Sequence, residues 1–164
     1  MKKIAVIMGS VSDLPVVEKA LAVLRAYGVP FSVRVLSAHR TPKAAQAFAE
    51  SARSEGYGVL IAAAGKAAHL AGALAANTTL PVIGLPVKSS ELDGLDALFS
   101  TVQMPSGIPV ATVAINGGAN AALLAVQILA VEDADLAGRL GEARQAAEEE
   151  LAEKDREIAQ QLSE

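Results

Sequence analysis

FSVRVLSAHRTPKAAQAFAE, residues 31 to 50, contains a strand, a turn and the start of a helix in one short stretch. The run FSVRVL (31–36) has the β-branched and aromatic content of a strand, and Thr41 followed by Pro42 is a helix opening, because Thr can cap and Pro is tolerated in the first turn. Ser37, His39 and Arg40 stand between the two, so half of the chain's histidines lie on this one turn.

The same cycle recurs on both sides of it. IAVIM (4–8), VLIAAA (59–64), PVIGL (81–85) and PVATVAI (109–115) read as further strands, with helices near 14–27, 42–55, 66–76 and 92–100 and another from about 119. Strand and helix in alternation require right-handed crossovers. The expectation is an α/β fold, a three-layer α/β/α sandwich around a parallel sheet of about five strands. Gly28 and Gly56 fall where helices should stop. Residues 86–108, with Pro86, Ser89, Ser90, Gly94, Pro105 and Gly107, and Pro109 just beyond, read as an extended connection around one short helix.

Composition agrees with one compact core. The chain has 164 residues, the usual size of a single domain. Its hydrophobic fraction is 52% with only 3% aromatics, which means Val, Ile, Leu and Ala packed between strands and helices. There is no Cys, which removes thiol chemistry and suits a reducing cytoplasm. No apolar stretch approaches the length of a membrane span, which takes roughly 18 residues or more. Polar Ser-Val-Ser-Asp follows the first apolar run at once, so a soluble, unprocessed protein is expected.

Charge divides the chain. Residues 132–164 hold 11 acids and 4 bases, residues 1–131 hold 7 acids and 10 bases. The body is thus mildly cationic, suited to a small anionic ligand and too weakly charged for a nucleic-acid surface. The single domain 1–164 therefore reads as an α/β body (1–131) with a helical extension (132–164). In the extension Leu136, Leu140, Ala143, Ala147, Leu151, Ile158 and Leu162 form a narrow stripe that fits docking on a neighbouring subunit.

Ligands of parallel sheets sit at the carboxyl ends of the strands, where helix N-termini face anions. Three polar clusters fall there: Ser10, Ser12 and Asp13 after the first strand, Ser37, His39 and Arg40 after the second, and Gly65, Lys66 and His69 after the third. The first turn lacks the spacing of a dinucleotide fingerprint or a P-loop, and Ser12 or Asp13 can equally be an ordinary helix cap. His69 reads either as a site residue or as a satisfied core histidine one turn into its helix. Two histidines without Cys or an acid pair make a poor metal site, and no metal is expected. No Ser sits in a G-x-S-x-G elbow, and Ala62, Ala63 and Ala64 stand where a phosphorelay receiver needs its acceptor Asp.

Taken in order, GSVSD, SAHRTP, AGKAAHLAG, PVIGLPV, GLDALFSTVQMPSGIPVATVAI and NGGANAALLA closely resemble the class I N5-carboxyaminoimidazole ribonucleotide mutases of de novo purine synthesis, over about residues 3–131. The resemblance implies a flavodoxin-like fold, a cytoplasmic homo-octamer with active sites between subunits, and no metal or organic cofactor. It also implies a reaction that moves a carboxylate from the exocyclic nitrogen of a ribonucleotide substrate to ring carbon C4. By position, Ser12, Ser37 and Arg40 resemble the phosphate-binding residues, Asp13 the ribose-binding acid and His39 the proton-transfer residue. Ser10, the backbone of Gly65, Lys66, Ala67 and Ala68, with His69 and Leu70, resemble the part that holds the base and its carboxylate.

Two positions depart from the family motif: Lys66 stands for a Gly and Ala71 for a Pro. They bear on turnover rather than fold. A family Gly implies a close backbone approach or a positive φ; at this position the backbone N–H groups are expected to hold the ligand while the Lys66 side chain escapes to solvent or a subunit boundary. The class II carboxylase, which adds CO2 directly, and a non-catalytic phosphoribosyl-ligand binder are the alternatives.

Overall fold

The computed structural model describes residues 1–163. Five strands, β1 (Lys3–Met8), β2 (Phe31–Val35), β3 (Tyr57–Gly65), β4 (Val82–Val87) and β5 (Ala111–Thr112), form one parallel sheet in the order β2-β1-β3-β4-β5. Between and after them run α1 (Leu14–Ala26), α2 (Pro42–Ser51), α3 (Leu70–Ala75), α4 (Leu95–Val102), α5 (Gly118–Ala130) and α6 (Ala134–Leu162). The fold is flavodoxin-like, as expected.

Alternation along each strand separates two cores. Ile4, Val6, Met8, Val59, Ile61, Ala63, Ile83 and Leu85 face α1 and α5. Ala5, Ile7, Leu60, Ala62, Ala64 and Val82 face the layer of α2, α3 and α4. A fully buried aliphatic side chain of this kind contributes about 1.5–3 kcal/mol, so the two apolar faces account for much of the drive to this sandwich. Gly118 permits close packing of α5 on α1, since a Cβ there would stand 2.3 Å from the Val16 carbonyl oxygen.

Register brings the strand ends level. Met8 pairs with Val35 and Ala63, and Gly65 pairs with Val87, so the loops after β1, β2, β3 and β4 share one end of the sheet. The order reverses between β1 and its two neighbours, which is where open α/β sheets form a crevice.

Four details differ from the sequence expectation. The third helix begins at Leu70 rather than residue 66, because Lys66 has φ +53°, a left-handed conformation that no α-helix continues through. His69 is therefore the N-cap of α3, exposed, and not a core residue within the helix. Thr41 makes no capping bond; its Oγ1 accepts from Ser37 N–H at 2.9 Å and donates to the Ser37 carbonyl at 3.1 Å, closing the preceding turn instead. The fifth strand is confined to Ala111 and Thr112, far short of the run 109–115, although Val113 N–H and Asn116 N–H still donate to the Gly84 and Pro86 carbonyls.

The C-terminal helix is as long as its pattern predicts, but its first turns belong to the body. Leu136 is fully buried in the core. Arg139 donates to the carbonyls of Tyr27 at 2.7 Å and Ala26 at 2.8 Å, occupying the last acceptors of α1. From Gly141 to Ser163 every residue is exposed. Among the described residues no helix is long and apolar enough to cross a membrane.

Candidate active site

The loops at the carboxyl ends enclose a cavity of about 530 Å³. Its first wall is the turn after β1, where Ser10 caps a short 3₁₀ turn (Val11–Asp13). The Ser10 hydroxyl accepts from Ser12 N–H at 3.3 Å and from the Ser12 hydroxyl at 2.9 Å, while Asp13 Oδ2 accepts from Ser10 N–H at 3.1 Å. Capping and site-building are thus the same interaction. Asp13 is only 6% exposed. Burial pushes its carboxyl above the ordinary range, opposed by the Ser10 N–H bond and by the Arg40 charge.

The second wall is the turn after β2. Ser37 Oγ accepts from Arg40 N–H at 3.1 Å, which leaves its own proton free to donate. Arg40 Nη2 donates to the Gly9 carbonyl at 2.9 Å and so ties this turn to the first wall. Among the described residues Arg40 makes no ion pair.

The third wall follows β3. Gly65 lies close to the next strand, since a Cβ there would stand 3.1 Å from the Val87 carbonyl oxygen. Past it the chain turns sharply, with Ala68 N–H donating to the Lys66 carbonyl at 2.8 Å and His69 N–H to the Ala67 carbonyl at 2.9 Å. This aims His69 at His39: His39 Nε2 and His69 Nδ1 are hydrogen-bonded at 2.8 Å across 30 residues of sequence. One imidazole donates and the other accepts, an arrangement able to store and pass a proton.

Of the residues expected from sequence, Ser10, Ser12, Asp13, Ser37, His39, Arg40, Gly65, Lys66, Ala67, His69 and Leu70 line the cavity. Ala68 does not; its side chain is buried with Leu70 beneath the loop, in the α2/α3 core. Gly9, Ala38, Ala64, Val87, Lys88, Ser89 and Ser90 line it as well and fall outside the expected set. A signal for the last three exists: they follow the fourth strand, and the rule that marks the other strand ends applies there too. Lys66 places its ammonium outward, 3.2 Å from Glu91 Oε1.

A larger groove of about 870 Å³ opens beside the amino ends of β3 and β4, lined by residues such as Arg53, Gly58, Leu80 and Leu129. Its lining brings no imidazole or hydroxyl cluster together, so the cavity at the carboxyl ends is the candidate site.

The geometry defines a doubly wound α/β protein with a small-molecule site that offers hydroxyls and a guanidinium at one end and a paired imidazole at the other. Comparison with known proteins narrows the class. The profile of the AIR carboxylase family matches residues 3–150, and the chain belongs to that family. It is 55% identical over 148 residues to the phosphoribosylaminoimidazole carboxylase of Saccharomyces cerevisiae, covering 90% of this chain but only 26% of that relative's length. It is 47% identical over 160 residues to the N5-carboxyaminoimidazole ribonucleotide mutase of Thermotoga maritima, covering 98% of this chain and 94% of that one. Its backbone resembles the crystal structure of Treponema denticola PurE with a TM-score of 0.81 at 28% identity, over 98% of each chain.

Proposed function

We propose that the chain converts N5-carboxyaminoimidazole ribonucleotide to 4-carboxy-5-aminoimidazole ribonucleotide, a step of purine biosynthesis, with His39 and His69 handling the proton. The observation that carries this reading is the His39–His69 hydrogen bond of 2.8 Å in the cavity that Ser12, Ser37 and Arg40 also line.

The reaction needs two proton movements. The bond between the exocyclic nitrogen and the carboxylate breaks with its electron pair going to nitrogen, which takes a proton; C4 attacks the released CO2 and its own proton leaves. Protons taken and given balance, so one imidazole shuttle suffices, and a closed site keeps CO2 beside the ring. Ser12, Ser37 and Arg40 hold the phosphate, Asp13 the ribose, and Ser10 with the segment from Gly65 to Leu70 the base and carboxylate.

The reading includes a cytoplasmic homo-octamer of single-domain subunits acting without metal or organic cofactor. Support for association lies in the exposed Leu151, Ile158 and Leu162 of α6. The test is to supply the N-carboxylated nucleotide without bicarbonate and follow the C4-carboxylated product. Product formation bears the reading out; product formed only from aminoimidazole ribonucleotide with bicarbonate makes the chain a direct carboxylase.

A further inference from the structure

Two lysines on the rim of the cavity are each paired with an acid from the same loop. Lys66 Nζ lies 3.2 Å from Glu91 Oε1, and Lys88 Nζ lies 2.8 Å from Asp93 Oδ1. Both acids belong to residues 88–94, which link β4 to α4 and contribute Ser89 and Ser90 to the cavity wall. The loop is held in shape: Asp93 and Gly94 have φ of +53° and +92°, Lys88 N–H donates to Asn116 Oδ1 at 2.9 Å, and the Ser89 hydroxyl donates to Asp96 Oδ2 at 3.4 Å. Among the described residues the cavity's third cation, Arg40, has no such acid.

The Lys66 and Glu91 side chains are 68% and 59% exposed. An exposed pair of this kind adds little to stability, so its consequence is local: it decides where one ammonium spends its time. The Lys66 hydrogen bond holds the Glu91 carboxyl below its ordinary range, which keeps the acid ionised. Lys66 itself is on the cavity wall, three residues before His69, and its flexible four-carbon stem would let a released ammonium turn inward.

Resting on the reaction proposed above, the location of that charge matters. The carboxylate of the substrate loses its charge when it departs as CO2 and regains it on C4. A cation paired with it stabilises substrate and product but not the neutral CO2 between them, and this raises the barrier. The phosphate keeps its charge throughout and is safely held by Arg40. We propose that Glu91 is a positioning residue that keeps the Lys66 ammonium off the substrate's carboxylate, with Asp93 restraining Lys88 in the same way. The rim acids thereby leave one anion-binding pole in the cavity, at the phosphate end.

The experiment compares Glu91→Gln with the parent chain. Affinities for the C4-carboxylated ribonucleotide and for the uncarboxylated aminoimidazole ribonucleotide are measured by calorimetry at low salt, with kcat and KM for the N-carboxylated substrate. The carboxylated ligand is expected to bind about threefold tighter or more, the uncarboxylated ligand equally, and kcat and KM both to fall. Adding about 0.5 M KCl should erase the difference, as screening does for exposed charges. In the Lys66→Gly background Glu91→Gln should have no effect on either affinity. Equal weakening of both ligands would reduce Glu91 to a support for the loop and overturn the proposal, as would an unchanged affinity for the carboxylated one. If the parent chain binds both nucleotides but transfers no carboxylate, it is the reaction that fails, and the affinities still decide whether Glu91 restrains Lys66.

Discussion

His39 and His69 share a hydrogen bond of 2.8 Å with their rings set edge to face at 80°. The bond needs a donor on one nitrogen and a lone pair on the other, so two imidazolium rings cannot make it. The pair therefore shares a single N–H between its rings, and in the reaction proposed above a proton taken from C4 would enter at an outer nitrogen. Replacing His39 with Asn is expected to lower kcat by about a hundredfold or more while the assembly stays intact, and His69→Asn to act in the same direction through loss of the partner. Retention of more than about a tenth of kcat in His39→Asn would remove it from the proton-transfer role.

Asp13 gives a pH dependence of defined sign. Its folded pKa is raised, chiefly by burial, so in the window between the ordinary aspartate value of 3.8 and the raised value the folded chain binds more protons than the unfolded one. Stability attributable to this group is lost as pH rises through that window and is not regained at neutrality. Asp13→Asn keeps an oxygen for Ser10 N–H and should raise Tm by about 2 °C at neutral pH. The gain should vanish at pH values below the window. Thermal melts across pH decide it, and a lower Tm at neutral pH would contradict the sign.

Lys66→Gly relieves a left-handed residue that carries a Cβ. The strain removed is about 1–2 kcal/mol and the added freedom of the unfolded chain returns about half of it, so a net gain of roughly 0.5–1 kcal/mol in denaturant unfolding is expected. Because the ammonium is exposed and paired with Glu91 in the resting structure, kcat/KM should change by less than about tenfold, roughly 1.4 kcal/mol. A loss of about a hundredfold would show Lys66 to be part of the binding machinery.

The sheet and most of the site were legible for one reason: apolar runs bounded by Gly and Thr-Pro fix the strand ends, and polar residues at carboxyl ends mark the crevice. Three things were hidden. The His39–His69 bond joins residues 30 apart, and a third helix starting at residue 66 would bury His69 in the wrong place. The Lys66–Glu91 pair spans 25 residues and depends on the left-handed turn, which a Lys does not announce. Lys88, Ser89 and Ser90 are inconspicuous because Pro and Gly on both sides make the segment read as a connection rather than a wall.

Removing part of α6 tests assembly. Leu136 and Arg139 are fixed to the body, so a deletion from residue 132 would damage the fold itself, and the informative truncation falls after Ala147. That chain should remain folded by circular dichroism and run as smaller species in light scattering. An unchanged octamer, or a full-length chain that is monomeric, would exclude a role for the stripe in assembly.

Gly118→Ala probes the α1–α5 contact. The obstacle to a Cβ is backbone, at 2.3 Å, so the helices must separate. A loss of about 1–3 kcal/mol is expected in denaturant unfolding. A change below about 0.5 kcal/mol, the range of ordinary surface substitutions, would mean that α5 shifts freely.

The sheet ends on β5, a strand of only two residues, Ala111 and Thr112. An edge that short presents too few free N–H and C=O groups to template a neighbouring strand, so at this side the sheet is closed to growth. Copies of the chain that meet here would do so through side chains of helices and loops, and the brevity of the strand, with Pro109 two residues before it, limits edge-to-edge pairing.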